Sequence, residues 1–280
     1  MLQRLAKLAD LDRRWLYLGL LAVIVVSSFL RAPLMVRMGR ETKGYYDAIE
    51  RLDGRKPVLL ESDWDMGTIG ELRAQFVNTV KHLFRKNQRF VLISGTALGP
   101  RFYRPMMQEL AKQYGKEYGH DWISVGFKLP DPKPISIEAL SRSFQKTAVV
   151  DDYGKKPSEY SWLRNVKTAD DWALAITINY QEIREYITYF YYSSRTPYIC
   201  GIAAISSTTL YPFLSSGTIK GMLVGSRGGG EYEQAMGDKG YASRFLVGQT
   251  AGHLLILLAI VAGNIGQFAK GRLAKSEAKK

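Results

Sequence analysis

Lys56–Ser94 reads KPVLLESDWDMGTIGELRAQFVNTVKHLFRKNQRFVLIS, and this stretch decides the fold. KPVLLES is a short apolar run after a Gly-Arg turn, which suits a buried strand. From Thr68 to Lys86, residues Leu72, Phe76, Val80, Leu83 and Phe84 recur near helical spacing, and Thr68 with Glu71 has the pattern of a capping box. RFVLIS, Arg89–Ser94, reads as a second strand. Strand, helix, strand in that order argues for parallel pairing across a crossover.

The same rhythm extends outward. Pro100–Tyr118 is a predicted helix with Met106, Met107, Leu110 and Tyr114 facing in; Pro105, within it, marks the first turn. DWISVGF (Asp121–Phe127) is a third strand. Residues 129–162 hold Pro130, Pro132, Pro134 and Pro157 with charges of both signs, and read as an inserted excursion with a short helix at Ile137–Lys146. WALAITI (Trp172–Ile178), an aromatic helix at Tyr180–Tyr192, PYICGIAAI (Pro197–Ile205) and IKGMLVG (Ile219–Gly225) complete the series. The predicted fold class is α/β: a doubly wound, mainly parallel sheet of about five to six strands.

Two apolar runs flank this domain, which is expected over residues 37–244. The first transmembrane helix is expected over residues 15–36, where the uncharged run Trp15–Leu30 is extended past Arg31 by a side chain able to snorkel. Arg13-Arg14 before the run also fits a signal peptide, but no small-x-small cleavage site follows it. The second span is expected over residues 245–268, and it carries Gln249, His253 and Asn264, with Gly248 and Gly252 spaced as GxxxG. These polar residues either cap helix ends or bond a neighbouring helix, or form a contact with an oligomer or partner. Basic tails at residues 1–14 and 269–280 carry nine Lys and Arg side chains against six on the domain-side flanks. The positive-inside rule therefore favours both tails on the cytoplasmic side of a bacterial inner membrane and the domain outside, while a cytoplasmic domain lying against an anionic inner leaflet would explain the same basic flanks.

The 280 residues carry a net charge of +13. A pI near 9.6 fits nucleic acid or anionic lipid, and the apolar runs favour the lipid bilayer as partner. Mean hydropathy is −0.15, so the apolar residues are concentrated rather than spread over many spans. Cys200 is the single cysteine, which excludes an internal disulfide and a Cys-rich metal site.

The chain resembles an uncharacterised bacterial family of twice-anchored membrane proteins. The resemblance is carried by DRRW before the first span, YYDAIERL, PVLLESDWD followed by GEL, HLFRK, YGKEYGHDW with VGFK, LYPFLSSGTIKGMLVGSRGGGEYE and GHLLILLAIVAGNI. It covers nearly the whole chain in order and implies the architecture above, with no established activity. Two departures stand out: Gly229-Gly230 where two small residues are expected after the Arg, and TINYQE where a glycine-rich turn is expected.

Ligands of open α/β sheets sit at the carboxyl ends of the strands. At the first such end, Asp63 and Asp65 could hold Mg²⁺, act as acid and base, or cap the loop and helix. At the second, Ser94–Gly99 with Thr96, Arg101 and Arg104 suits an anionic group or a plain strand-to-helix turn; no GxxxxGK[ST] is present. At the third, Gly228, Gly229 and Gly230 sit in a glycine loop with Arg227 and Glu231. That loop could cradle an anion, let subunits pack, or act as a hinge to the membrane helix. His82, His120 and His253 are scattered, and no GxSxG exists, so no catalytic residue, metal or cofactor is expected. The tyrosine cluster Tyr186–Tyr192 lacks flanking basic stripes, which disfavours nucleic acid. The expected role is a membrane-anchored scaffolding subunit that assembles with itself or with other membrane-complex subunits. The alternative is a tethered ligand-binding or hydrolase-like domain with an anion site at the strand ends.

Overall fold

The computed structural model describes residues 2–10, 12–29, 38–127, 136–181, 183–238 and 240–277. It forms two compact units, one of residues 36–242 and one of residues 1–35 with 243–280.

The larger unit is an α/β domain. Its elements in order are α3 (Arg40–Glu50), β1 (Val58–Asp63), α4 (Ile69–Arg85), β2 (Phe90–Ile93), α5 (Gly99–Tyr114) and β3 (Trp122–Gly126). Then come α6 (Ile137–Arg142), α7 (Phe144–Thr147), β4 (Leu174–Asn179), α8 (Arg184–Tyr186) running into a π turn (Ile187–Tyr192), β5 (Tyr198–Ile202), α9 (Tyr211–Ser215), β6 (Gly221–Val224) and α10 (Gly225–Ala235). All five strand pairs are parallel, in the order β3-β2-β1-β4-β5-β6. That is the doubly wound order. The chain reverses direction across the sheet between β1 and β4, which makes that gap the topological switch point.

All six predicted strands form. They read as continuous apolar runs because each is covered on both faces. One face buries Leu60, Leu92, Ile176 and Leu223 under α3, α4, α5 and α10, whose inward residues include Tyr45, Phe76, Tyr103 and Tyr232. The other buries Leu59, Val91, Ala175 and Cys200 under α6, α7, the π turn and Leu210. The proline-rich stretch, described from residue 136, is therefore not an excursion away from the domain. Ile137, Leu140, Phe144, Tyr160 and Leu163 are core residues, and without them β2 and β3 would face water. The expected excursion's first residues, 129–135, lie outside the described residues.

Two close approaches shape the β6 side. A Cβ on Gly221 would lie 1.9 Å from the Tyr45 amide nitrogen, so α3 crosses the start of β6 backbone to backbone. The stretch read as a glycine loop is helix α10. A helical glycine costs about 1 kcal/mol relative to alanine, and here close packing compensates. A Cβ on Gly228 would stand 2.9 Å from the Leu223 backbone, and one on Gly229 would stand 3.3 Å from the Ala74 Cβ of α4. Gln75 and Asn78 of α4 donate amide hydrogens to the carbonyls of Gly225 and Gly229.

The smaller unit contains α1 (Leu2–Ala6), a 3-10 turn (Lys7–Asp10), α2 (Arg13–Phe29) and α11 (Tyr241–Glu277). Helices α2 and α11 run antiparallel: Asp10 pairs with Lys270, and a Cβ on Gly252 would meet Leu20 at 3.4 Å and Ile24 at 3.6 Å. Their other faces expose large apolar side chains, among them Trp15, Leu21 and Phe29 on α2 and Leu257, Val261 and Phe268 on α11. Among the described residues one helix, Ala242–Lys275, is long and apolar enough to cross a membrane. Of the first expected span, residues 15–29 lie in α2, a helix of 17 residues, and residues 30–36 lie outside the described residues, so a first span is not shown. The second tail is helical where it is described, because α11 runs on through Lys270, Arg272 and Lys275.

Candidate functional site

The switch point between β1 and β4 is the place to look. Side chains alternate along β1, so Leu59, Glu61 and Asp63 share the face covered by the π turn, while Leu60 and Ser62 share the other. Register puts Glu61 between Ile93 of β2 and Thr177 of β4.

Asp63 is 2 % exposed and fully engaged. Its carboxylate accepts from the Ser94 hydroxyl, from the amides of Gly95 at 2.7 Å and Thr96 at 3.2 Å, and from the Thr96 hydroxyl at 3.1 Å. The small-residue loop after β2 is thus folded around a carboxylate of its own chain. This removes the donors on which an anion site at Thr96 would depend, and an anion entering there would meet Asp63. Asp65 likewise closes its own loop, accepting from the amide and hydroxyl of Thr68, each at 3.0 Å. Thr68 and Glu71 do not form the expected capping box. Glu71 reaches across the sheet edge and accepts from the Ala204 amide at 2.7 Å.

Of the arginines, Arg101 is exposed on the first turn of α5, and Arg104 forms a two-pronged pair with Asp152 at 2.8 and 2.9 Å. Arg227 and Glu231 do pair, at 2.7 Å along α10. The buried Glu231 carboxylate also accepts from the Gly39 amide and the Thr42 hydroxyl, both at 2.8 Å, and so caps the start of α3. Its work is to tie α3 to α10. Gly228, Gly229 and Gly230 are buried inside the domain, which takes them away from any surface that a second subunit could reach. In the helical pair Gln249, His253 and Asn264 are exposed, whereas Gly252 faces α2.

Two groups escaped the sequence reading. The first is Glu61, buried between β2 and β4. Burial, followed by the negative charge of Asp63, raises its pKa well above the ordinary carboxyl value, so both favour the neutral acid at the heart of the sheet. Its Oε2 and the neighbouring Tyr186 hydroxyl are both buried without a well-formed hydrogen bond. Burial and then Glu61 push the Tyr186 phenol well up too. Glu61 Oε1 and Asp63 Oδ2 converge on Gly95, lying 3.2 and 2.9 Å from where a Cβ would stand. Tyr186 stacks on Tyr198, whose hydroxyl is 2.7 Å from Thr177. Polar residue types inside a continuous apolar strand, Glu61 above all, were the available signal.

The second is His82 of α4. It is 2.6 Å from the Tyr232 hydroxyl and 2.9 Å from Glu50, joining α4 to α10 and α3. Burial lowers its pKa despite the nearby Glu50. A neutral imidazole with a donor on one nitrogen and an acceptor on the other suits this bridge. No group of three or more His, Cys, Asp or Glu able to hold a metal occurs among the described residues.

The class defined so far is a doubly wound α/β domain whose strand ends at the switch point are closed by their own carboxylates. Comparison with protein-family models, curated proteins and solved structures finds no match.

Proposed function

We propose that the chain is a membrane-anchored structural subunit, with α2 and α11 as two spans and the α/β domain assembling with copies of itself or with other membrane proteins. The observation that carries this reading is the apolar surface of the helical pair. Trp15, Tyr17, Leu18, Leu21 and Phe29 on α2, and Leu254, Leu257, Leu258 and Ile260 on α11, are all exposed. Side chains of that kind on both helices are stable in hydrocarbon and costly in water. The charge balance of the tails supports a cytoplasmic location for both, as does the resemblance to twice-anchored proteins for the architecture.

Assembly is supported by a row of exposed apolar residues at the carboxyl edge of the domain: Met66 after β1, Leu98 after β2 and Ile205 after β5, with Ile205 89 % exposed. These three loops hold the positions where a ligand of this fold would enter, and they present apolar side chains instead of binding groups. Native sizing of the full chain in mild detergent tests the proposal. An oligomer or a copurifying subunit, lost on Met66→Asp with Ile205→Asp, is the expected result. A monodisperse monomer without a partner refutes it.

A second reading has one observation in its favour. Glu61 Oε2 and the Tyr186 hydroxyl are buried together at the switch point and interact with each other without a well-formed hydrogen bond. A ligand there would be neutral or cationic and hydroxyl- or amine-bearing, since the groups facing it are two acids and a phenol. Its signature is a bound small molecule released on denaturation of the wild type and missing from Glu61→Gln with Tyr186→Phe.

A further inference from the structure

The amino ends of β1, β4 and β5 border a cleft of about 550 Å³, on the side of the sheet opposite the switch-point loops. Three separate segments build it: the link from α3 to β1, the approach to β4, and the turn between the π turn and β5. Four cationic side chains line it, Arg51, Arg55, Lys56 and Arg195, against two acids, Asp53 and Asp170.

Four cations against two acids leave the cleft with a net charge of +2. Asp53 is taken by Arg55 at 2.9 Å. Lys56 donates to the Asp170 carbonyl oxygen at 2.7 Å, a neutral acceptor. Arg51 caps the carboxyl end of α3 and has no carboxylate partner among the described residues. Arg195 holds a left-handed backbone, φ 59°, and its guanidinium lies 5.6 Å from the Tyr191 ring. Leu52, Trp172, Ala173 and Pro197 also line the cleft.

A solvated helix face carries its charges on one element. Here Arg51, Arg55 and Lys56 from one segment meet Arg195, more than 130 residues further along the chain, around one cleft, and two of the four are arginines without an acid. A guanidinium offers a planar fork of donors that matches phosphate oxygens, and the field of several cations in a recess concentrates anions. The geometry points to a binding site for a phosphate-bearing molecule in this cleft, either a soluble phosphorylated compound or the phosphate of an anionic lipid headgroup. The site is independent of the scaffolding proposal, because it uses neither the apolar edge loops nor the spans.

The test is site-resolved. The full chain in detergent is treated with phenylglyoxal, and the modification rate of each arginine is read by peptide mass spectrometry at constant ionic strength. One arm adds inorganic pyrophosphate. The other compares micelles doped with phosphatidylglycerol with micelles doped with phosphatidylcholine. Slowing of at least fivefold at Arg51 and Arg195, with the exposed Arg101 and Arg73 unchanged, is the expected result. Slowing by pyrophosphate identifies a soluble ligand, and slowing by phosphatidylglycerol alone identifies a headgroup. Calorimetry with the effective probe should show affinity at least tenfold weaker in Arg51→Ala with Arg195→Ala. Unchanged rates in both arms overturn the site. So does equal slowing at Arg101, which marks general screening, or full affinity in the double variant.

Discussion

Replacing Glu61 by glutamine should make the protein more stable, and increasingly so as pH rises. The side chain keeps its shape, loses its ability to ionise, and can donate its amide hydrogen toward Asp63. In the native chain Glu61 is buried, and its pKa stands well above the ordinary 4.5 because burial and Asp63 both oppose its charge. Above pH 4.5 the unfolded chain gives up this proton while the folded chain keeps it. The unfolded state then binds fewer protons, so stability falls as pH rises, by about 1.4 kcal/mol per pH unit between the unfolded and folded pKa values. Glu61→Gln removes that slope. For a unit of this size about 1 kcal/mol moves Tm by roughly 2–4 °C, so the two melting temperatures should diverge by about 3–6 °C per pH unit. The assay is thermal unfolding of both full-length proteins in the same detergent at pH 5, 6 and 7, followed by tryptophan fluorescence. The buried Trp64 lies one residue from Asp63 and reports on this region. Parallel Tm curves over that range would refute the neutral, buried Glu61 and with it the account of the switch point.

Gly221→Ala should destabilise by about 3 kcal/mol or more, since its Cβ meets the Tyr45 backbone and neither α3 nor β6 can yield cheaply. Gly70→Ala in α4, whose Cβ meets nothing within 4 Å, should instead stabilise by up to about 1 kcal/mol; denaturant titration compares the two. Glu231→Ala should cost about 1–3 kcal/mol and raise amide exchange over the first turn of α3, where the Gly39 amide and Thr42 hydroxyl lose their acceptor. Gly252→Ile should push α11 from Leu20 and Ile24, and a cysteine cross-link between those helices should form more slowly than in the parent. Asp63→Ala should free the Gly95 and Thr96 amides and make stability depend on added phosphate. A Tm that ignores phosphate in that variant contradicts the assignment.

The sheet was legible because its strands are apolar on both faces and bounded by turns, a pattern set by burial alone. Helix α4 was legible for the same reason, through Leu72, Phe76 and Val80. Helix α10 was not. Gly228-Gly229-Gly230 has the local propensity of a loop, and only the proximity of Leu223 and Ala74 makes a helix there favourable. Residues 136–166 misled in the opposite way: prolines and mixed charge near them suggest an excursion, yet Leu140, Phe144 and Leu163 close the core. At the site, each residue type was visible but not its partner. Asp63 looks the same in sequence whether it faces a metal, a ligand or the amides of Gly95 and Thr96, because that distinction is made by a contact more than 30 residues away.

Those contacts also explain why the two edges of the sheet differ in what they can bind. In a doubly wound fold the loop after a strand offers amide hydrogens, and the helix behind it adds a favourable field for an anion. In this chain the loop after β2 gives its amides and its Ser94 and Thr96 hydroxyls to Asp63, so a carboxylate from β1 stands where a ligand's anionic group would be held. Glu61 beside it adds a second acid, whose charge both burial and Asp63 oppose. An anionic ligand would therefore be opposed at the edge where the fold ordinarily favours it. At the other edge Arg51, Arg55, Lys56 and Arg195 face a cleft with too few acids to neutralise them. Electrostatics thus separates the two candidate roles: the carboxyl edge, closed and fringed by Met66, Leu98 and Ile205, is suited to contact with protein, and the amino edge to contact with phosphate.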